Sequence, residues 1–224
     1  MRLLSTAVLM LALGCAGLAL APATGYAQSP HTHQHSFSGA GHWAQVFDDP
    51  ERDTWQKPHQ VIEALALKPD AAVADIGAGT GYFAVRLAHF VPQGRVYAVD
   101  IEPDMVQYLA SRAKREGLQN LTAVAGAPED ARLPGKVDLV LMVDTYHHIE
   151  QRERYFRKLA QSLKPGGRVA IIDFNAQSTM GPPPGARIAA TQVAAEMSQA
   201  GYRLAGEHQF LPNQYFLTFQ TGKP

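Results

Sequence analysis

The sequence predicts an α/β fold: a doubly wound sheet whose strands alternate with helices and whose last strand pair is antiparallel. Three observations carry this. First, Val73-Ala74-Asp75-Ile76 runs into Gly77-Ala78-Gly79-Thr80-Gly81, an apolar run ending in three glycines at alternate positions. That reads as a buried strand, a tight turn and a helix opening behind it, because glycine has no Cβ and tolerates positive φ. Second, runs of strand length alternate with segments of helical spacing as far as Ala200, the pattern of βαβ units. Third, the next apolar run ends in an acid, Asp100. It lies about 20 residues past the last glycine, where a doubly wound fold presents a carboxylate to ribose hydroxyls.

The elements follow in order. Trp43–Lys57 reads as a short helix and loop over the ligand mouth, and Val61–Leu67 as a helix, with Pro69-Asp70 marking the step into strand one, Ala72–Ile76. A helix over Tyr82–Phe90 stops at Pro92-Gln93-Gly94, and strand two is Arg95–Asp100. Pro103 suits the first turn of the next helix and Gly117 lies just past its end; Met105, Val106, Leu109, Ala110 and Ala113 recur at helical spacing. Strands three and four are Leu121–Ala125 and Val137–Val143, followed by a helix over Arg152–Leu163 and strand five, Arg168–Phe174. The loop Gly181-Pro182-Pro183-Pro184 is too stiff for a generic linker. A helix over Ile188–Ala200 precedes two strands, Tyr202–Phe210 and Gln214–Gln220, joined by Leu211-Pro212-Asn213.

The length, 224 residues, suits one domain with a sizeable core, and a formal net charge of zero offers no broad attraction to nucleic acid or anionic lipid. Arg2 precedes an apolar run from Leu3 to about Ala21, and Gly25-Tyr26-Ala27 is a small-x-small cleavage site. Residues 1–27 therefore read as a signal peptide and the protein as exported, to the periplasm, with no stable membrane association after cleavage. The run is also long enough to remain as an uncleaved membrane anchor. Residues 28–41 read as a flexible, histidine-bearing linker and 42–224 as the folded domain. The alternating His31, His33 and His35 have no carboxylate or cysteine beside them, so no metal site is assigned. The one cysteine, Cys15, falls inside the leader.

A glycine turn with a spaced acid indicates a nucleoside-containing ligand. The dinucleotide fingerprint is G-x-G-x-x-G; here the order is G-x-G-x-G, with Tyr82 where the third glycine would stand. Asp75 would repel a pyrophosphate, whereas it suits an amino-bearing ligand. On these residues the chain resembles the class I S-adenosylmethionine-dependent methyltransferases. Their first motif, D-x-G-x-G-x-G, matches Asp75, Gly77, Gly79 and Gly81, and their ribose acid matches Asp100. Their fourth-strand motif is similar to Val137–Asp144, and their L-K-P-G-G matches Leu163-Lys164-Pro165-Gly166-Gly167. The resemblance covers about Trp43–Gln220.

The resemblance implies a Rossmann-like sheet of seven strands in the order 3-2-1-4-5-7-6, S-adenosyl-L-methionine as cofactor and, given the neutral charge, a small-molecule methyl acceptor rather than nucleic acid. It implies that Asp75, Gly77, Ala78, Gly79 and Gly81 hold the aminocarboxypropyl group, and that Ile101 packs on the adenine while Asp100 takes the ribose. The family's adenine-contacting acid falls on Ala127 here, which leaves Asp130 as the candidate from the next turn. At the end of strand four, Asp144 is expected to bond the cofactor or orient a neighbour. Tyr146, His147 and His148 are the candidate catalytic residues, His147 favoured, since a neutral imidazole takes a proton from oxygen or nitrogen near neutral pH. Trp43, Phe47 and Trp55 suit either closure over the cofactor or ordinary packing. The rival readings are an exported methyltransferase-like binding protein without turnover and, against the glycine spacing, a nicotinamide oxidoreductase.

Overall fold

The computed structural model describes Phe37 and residues 39–222. The strands are β1 Ala72–Ile76, β2 Arg95–Asp100, β3 Leu121–Ala125, β4 Val137–Val143, β5 Leu163–Phe174, β6 Tyr202–His208 and β7 Gln214–Thr221. The helices are α1 Ala40–Phe47, α2 Arg52–Gln56, α3 Pro58–Ala64, α4 Tyr82–Phe90, α5 Pro103–Arg115, α6 Arg152–Leu159 and α7 Ala190–Gln199. All seven strands share one sheet in the order β3-β2-β1-β4-β5-β7-β6, as expected. Strands β1 to β5 pair in parallel, and β7 runs antiparallel to both β5 and β6.

Successive side chains of a strand point to opposite faces, and both faces here are apolar. Val73, Val96, Ala98, Leu139, Leu141, Ala170 and Ile172 pack with α3, α4 and α5 side chains such as Val61, Leu87 and Leu109. Ala74, Tyr97, Val99, Val140, Met142 and Ile171 pack on the other face with Phe156, Leu159, Val193 and Met197 of α6 and α7. Burial on both faces explains why β1 and β4 are near-continuous hydrophobic runs. From β1 the chain winds through α4 and α5 toward β3, then returns to place β4 on the other flank of β1. The connections leave β1 and β4 in opposite directions, which opens a crevice at their carboxyl ends.

Several boundaries differ from the sequence reading. The linker expected to reach Gly41 ends earlier, because α1 begins at Ala40. Phe37 and Gly39 already donate backbone N–H bonds to Glu102 (3.1 Å) and Asp104 (2.9 Å), acids beside the start of α5. The helix expected at Val61–Leu67 begins at Pro58, where the missing N–H costs nothing. The helix expected to reach Leu163 ends at Leu159 in a 3-10 turn. Strand β5 instead starts at Leu163 and carries Lys164-Pro165-Gly166-Gly167 within it. Its pairing with β4 shifts between Val137 and Leu139, a bulge that takes up the Pro-Gly-Gly stretch, with Gly166 at φ 79°. The expected signal peptide and the histidines at 31, 33 and 35 lie outside the described residues. Among those residues no helix is long and apolar enough to cross a membrane, and no group of three or more His, Cys, Asp or Glu gathers as a metal site.

Candidate active site

The crevice is a cleft of about 930 Å³. Its floor is the glycine turn after β1. Gly77 and Ala78 donate their N–H groups to Val99 O at 2.9 and 3.0 Å, and Gly79 donates to Asp100 Oδ2 at 2.8 Å. Gly77 (φ 74°) has a second requirement: a Cβ there would lie 2.2 Å from Thr145 Oγ1. The turn after β1 and the segment after β4 therefore touch through a missing methyl group. Gly79 presents its bare Cα side to Phe47, whose ring a Cβ would meet at 3.3 Å.

Four acids stand at or near the carboxyl ends of the four central strands: Asp75, Asp100, Asp144 and Asp173. Asp75 is 3% exposed. Burial pushes its carboxyl up to about 7, only partly offset by Arg52 and by a hydrogen bond from the Ala84 N–H in the first turn of α4, while Asp100 adds to the rise. Asp100 is also raised by burial, against hydrogen bonds from the backbone of Glu102, Gly79 and Ile101. Ile101 is 56% exposed on the cleft wall, an apolar side chain presented beside the ribose acid.

Arg52 is a cation of the cleft, whose lining also includes Arg154. It donates to Phe47 O (2.9 Å) and to Gln56 Oε1 (2.8 Å), lies 3.7 Å from Asp144 Oδ2, and stacks 4.0 Å over the Tyr82 ring. Arg86 covers Tyr82 at the same 4.0 Å, and the Tyr82 hydroxyl bonds Asp53, so α2 is clamped onto α4. Gln56 Nε2 donates to Gln214 Oε1 at 2.7 Å, and Gln214 Nε2 donates to Asp144. Arg52, Gln56, Gln214 and Asp144 thus close a polar ring joining α2, β7 and the end of β4. Thr80 Oγ1 lies on the cleft wall, buried and without a hydrogen-bond partner among the described residues.

Beyond β4, Asp144 takes a left-handed backbone (φ 54°) and a 3-10 turn covers Tyr146–His148. With about three residues per turn, the Tyr146 side chain leaves in a direction different from the two histidines. His147 Nδ1 sits 2.9 and 3.0 Å from the two oxygens of Asp173, whose carboxylate also accepts the His147 backbone N–H at 3.2 Å. An ionised carboxylate only accepts, so Nδ1 carries the proton and Nε2 keeps the lone pair. Burial works against the imidazolium, but Asp173, with help from Asp144, outweighs it and raises the His147 pKa. Burial and the neighbouring Asp173 raise Asp144, against Arg52, His147 and Gln214. His148 lies beside His147, ring centroids 4.1 Å apart, and meets Phe37 edge-on at 5.8 Å.

The cleft brings together Asp75, Gly77, Ala78, Gly79, Asp100, Ile101, Asp144, His147 and His148 from the sequence reading, and Trp43, Phe47 and Trp55 over its mouth. Three candidates stand apart. Tyr146 is fully buried, stacks on Phe156 and donates to Glu196 Oε2 at 2.6 Å, since the 3-10 turn sends it under the sheet; a catalytic role for it is set aside. Gly81 caps α4 and faces Leu109 and Val85, so its role is to start the helix. Asp130 pairs with Lys158 at 2.9 Å and caps Arg132; Glu129 is the acid of that turn on the cleft wall. The sequence reading missed Arg52 and Asp173. Asp173 carried a signal, an acid near the carboxyl end of an apolar strand, as Asp75 is. Arg52 had none, because its place depends on how α2 docks.

Sheet order, glycine turn and spaced acids define a Rossmann-like nucleoside-binding domain. The family described as "Methyltransferase domain" matches residues 73–167. The malonyl-[acyl-carrier protein] O-methyltransferase of Methylococcus capsulatus is 33% identical over 107 residues, covering 47% of this chain and 38% of that protein. The erythromycin 3''-O-methyltransferase of Saccharopolyspora erythraea is 26% identical over 159 residues, 68% of this chain and 52% of that protein. The chain thus spans about half or less of the curated relatives' length. Among solved structures, an S-adenosylmethionine-dependent methyltransferase from Aquifex aeolicus superposes with TM-score 0.74 at 25% identity, covering 80% of this chain and 97% of that one. Residues 73–167 thus match a methyltransferase domain, on a fold shared with an S-adenosylmethionine-dependent methyltransferase, and domain and fold imply S-adenosylmethionine as cofactor.

Proposed function

We propose that this protein methylates an oxygen or nitrogen of a small molecule, with His147 as general base. The observation that carries the reading is the His147–Asp173 pair at 2.9 Å, on the same cleft as the glycine turn. The residues fit the cofactor: an acid buried beside a bare-glycine turn suits an ammonium, and Thr80 Oγ1 is a buried hydroxyl left for a ligand. Asp75 would hold the amino group, Arg52 and Thr80 the carboxylate, Asp100 the ribose and Ile101 the adenine. When bound, S-adenosylmethionine supplies the activated methyl, the acceptor's lone pair forming the new bond to carbon as the carbon–sulfur pair leaves with sulfur. Asp173 fixes the His147 tautomer and stabilises the imidazolium that forms on proton transfer. The closed ring around Asp144 holds the cleft wall in register, so that positioning precedes binding.

Titration of the protein with S-adenosylmethionine and S-adenosylhomocysteine in a calorimeter tests this. Binding of both is the expected result, and Asp100→Ala should weaken it more than about tenfold, since the Gly79 N–H and the ribose hydroxyls lose their acceptor. Absence of binding would remove the reading. Export in the leader of residues 1–27 is part of the proposal; the apolar run after Arg2 supports it, and N-terminal sequencing of the protein from a periplasmic extract checks the cleavage.

A further inference from the structure

Resting on the reading above, we propose that the acceptor is a flat aromatic compound bearing an acidic hydroxyl, a phenol or naphthol, seated between Trp55 and a proline wall that Arg187 holds in place. The half of the cleft beyond the glycine turn is built from stiff apolar surfaces. Trp55 from α2 and Phe174 from the end of β5 lie with ring centroids 6.1 Å apart at 35°. Phe174, Trp55 and His147 line the same cleft. Pro182 and Pro183 line the same cleft, and Gly181 lies against the Phe174 ring, where a Cβ would come within 2.6 Å.

This wall does not depend on a ligand for its shape. The Arg187 guanidinium donates to the carbonyls of Ser178 (2.7 Å), Pro182 (2.8 Å) and Met180 (3.2 Å), and reaches those of Asn175 and Ala176 at 3.4 Å. One side chain therefore gathers most of the chain reversal from β5 to the prolines. Trp55 is fixed from the other side, because its neighbours Arg52 and Gln56 belong to the polar ring. A cleft walled by rigid rings favours a rigid, planar guest, since neither partner loses much freedom on binding.

The chemistry of the base narrows the class. Arg52, on this wall, is already engaged by Asp144, Gln56, Phe47 O and Tyr82 and is assigned above to the cofactor's carboxylate, so it is not the group that recognises the acceptor. A hydroxyl on an aromatic ring is acidic enough for an imidazole to deprotonate. The O–H bond breaks, its electron pair stays on oxygen, the proton passes to His147 Nε2, and that oxygen accepts the methyl carbon as the carbon–sulfur bond breaks toward sulfur. Arg187 is a positioning residue here, and Trp55 a binding residue.

The test uses the full chain saturated with S-adenosylhomocysteine and titrated in a calorimeter with 1-naphthol and with 2-decalol, its saturated, puckered counterpart. 1-Naphthol should bind at least about tenfold more tightly. Trp55→Leu, which keeps bulk without the flat ring, and Arg187→Ala should each weaken 1-naphthol about tenfold with S-adenosylhomocysteine affinity unchanged, a separation that general destabilisation would not give. With 4-nitrophenol, the phenolate absorption band should grow on binding and fail to grow in His147→Ala. Equal binding of the two alcohols, no binding of either, or wild-type affinity in both wall variants would overturn the acceptor class while cofactor binding stood. Failure to bind S-adenosylhomocysteine would instead remove the methyltransferase reading itself.

Discussion

The two halves of the cleft are built by different means. The cofactor half, Asp75 to Asp100, is a contiguous stretch of β1, turn, α4 and β2, and its internal contacts include backbone donors: Gly77, Ala78 and Gly79 each hand an N–H to the end of β2. The half proposed for the acceptor draws Trp55 from α2, His147 from the turn after β4 and the prolines from the loop after β5, with Asp173 of β5 bonded to His147 and Gln214 of β7 to Asp144. Backbone geometry needs particular residues, glycine above all, at particular positions. Side-chain geometry assembled across the sheet accepts many solutions. So the first half reads as a motif and the second as a scatter of ordinary residues. They meet where Gly77 admits Thr145.

The sharpest way to break this division is His147→Ala. With an acceptor in hand, kcat should fall by about 10²–10⁴ while cofactor affinity holds; full activity would remove the base. Asp173→Asn should cost less, because the base remains and only its tautomer and charge partner are lost. Asp173 raises the His147 pKa, and the base works only when neutral. The rate should therefore climb with pH through a pKa above the ordinary histidine value of about 6.5. In Asp173→Asn that limb should move to lower pH, and an unmoved limb would uncouple the pair.

The cofactor half predicts its own pH dependence. Asp75, pushed up to about 7, must ionise to hold an ammonium. Affinity for S-adenosylmethionine should therefore drop as pH falls below about 7, by up to tenfold per pH unit, with proton release visible as a buffer-dependent heat. Asp75→Asn should bind more weakly and lose that slope. The smallest effect is expected at Tyr146→Phe. It removes a part-buried hydrogen bond to Glu196, costing about 1 kcal/mol in a melt, yet should leave kcat within about twofold of wild type because Tyr146 does not line the cleft.

Most of the sheet was legible. The limits of β1, β2, β3 and β4 match the reading, since apolar runs buried on both faces announce themselves. The misses cluster where local signals conflict with packing. Helix spacing over Arg152–Leu163 extended past Leu159, but Leu163 is taken by the ladder to Val137. In the triplet Tyr146-His147-His148, composition marked all three residues alike; only the 3-10 turn separates them, sending Tyr146 to Glu196 and His147 to Asp173. Asp130 lost its role to a turn closed by the Ala127–Asp130 backbone pair, which directs the Asp130 carboxylate to Lys158.

By itself the sequence determined what the backbone must do: glycine at positions of positive φ, apolar strands in alternation with helices, and acids at Asp75 and Asp100 that name a nucleoside ligand. Those are local constraints, and each is written in a few adjacent residues. Tertiary structure alone decided that Arg52 would lie between Tyr82 and Asp144, that Asp173 would orient His147, and that Arg187 would gather the proline loop opposite Trp55. Each of these joins residues far apart in the chain, and their distances exist only after the sheet has chosen which strands are neighbours.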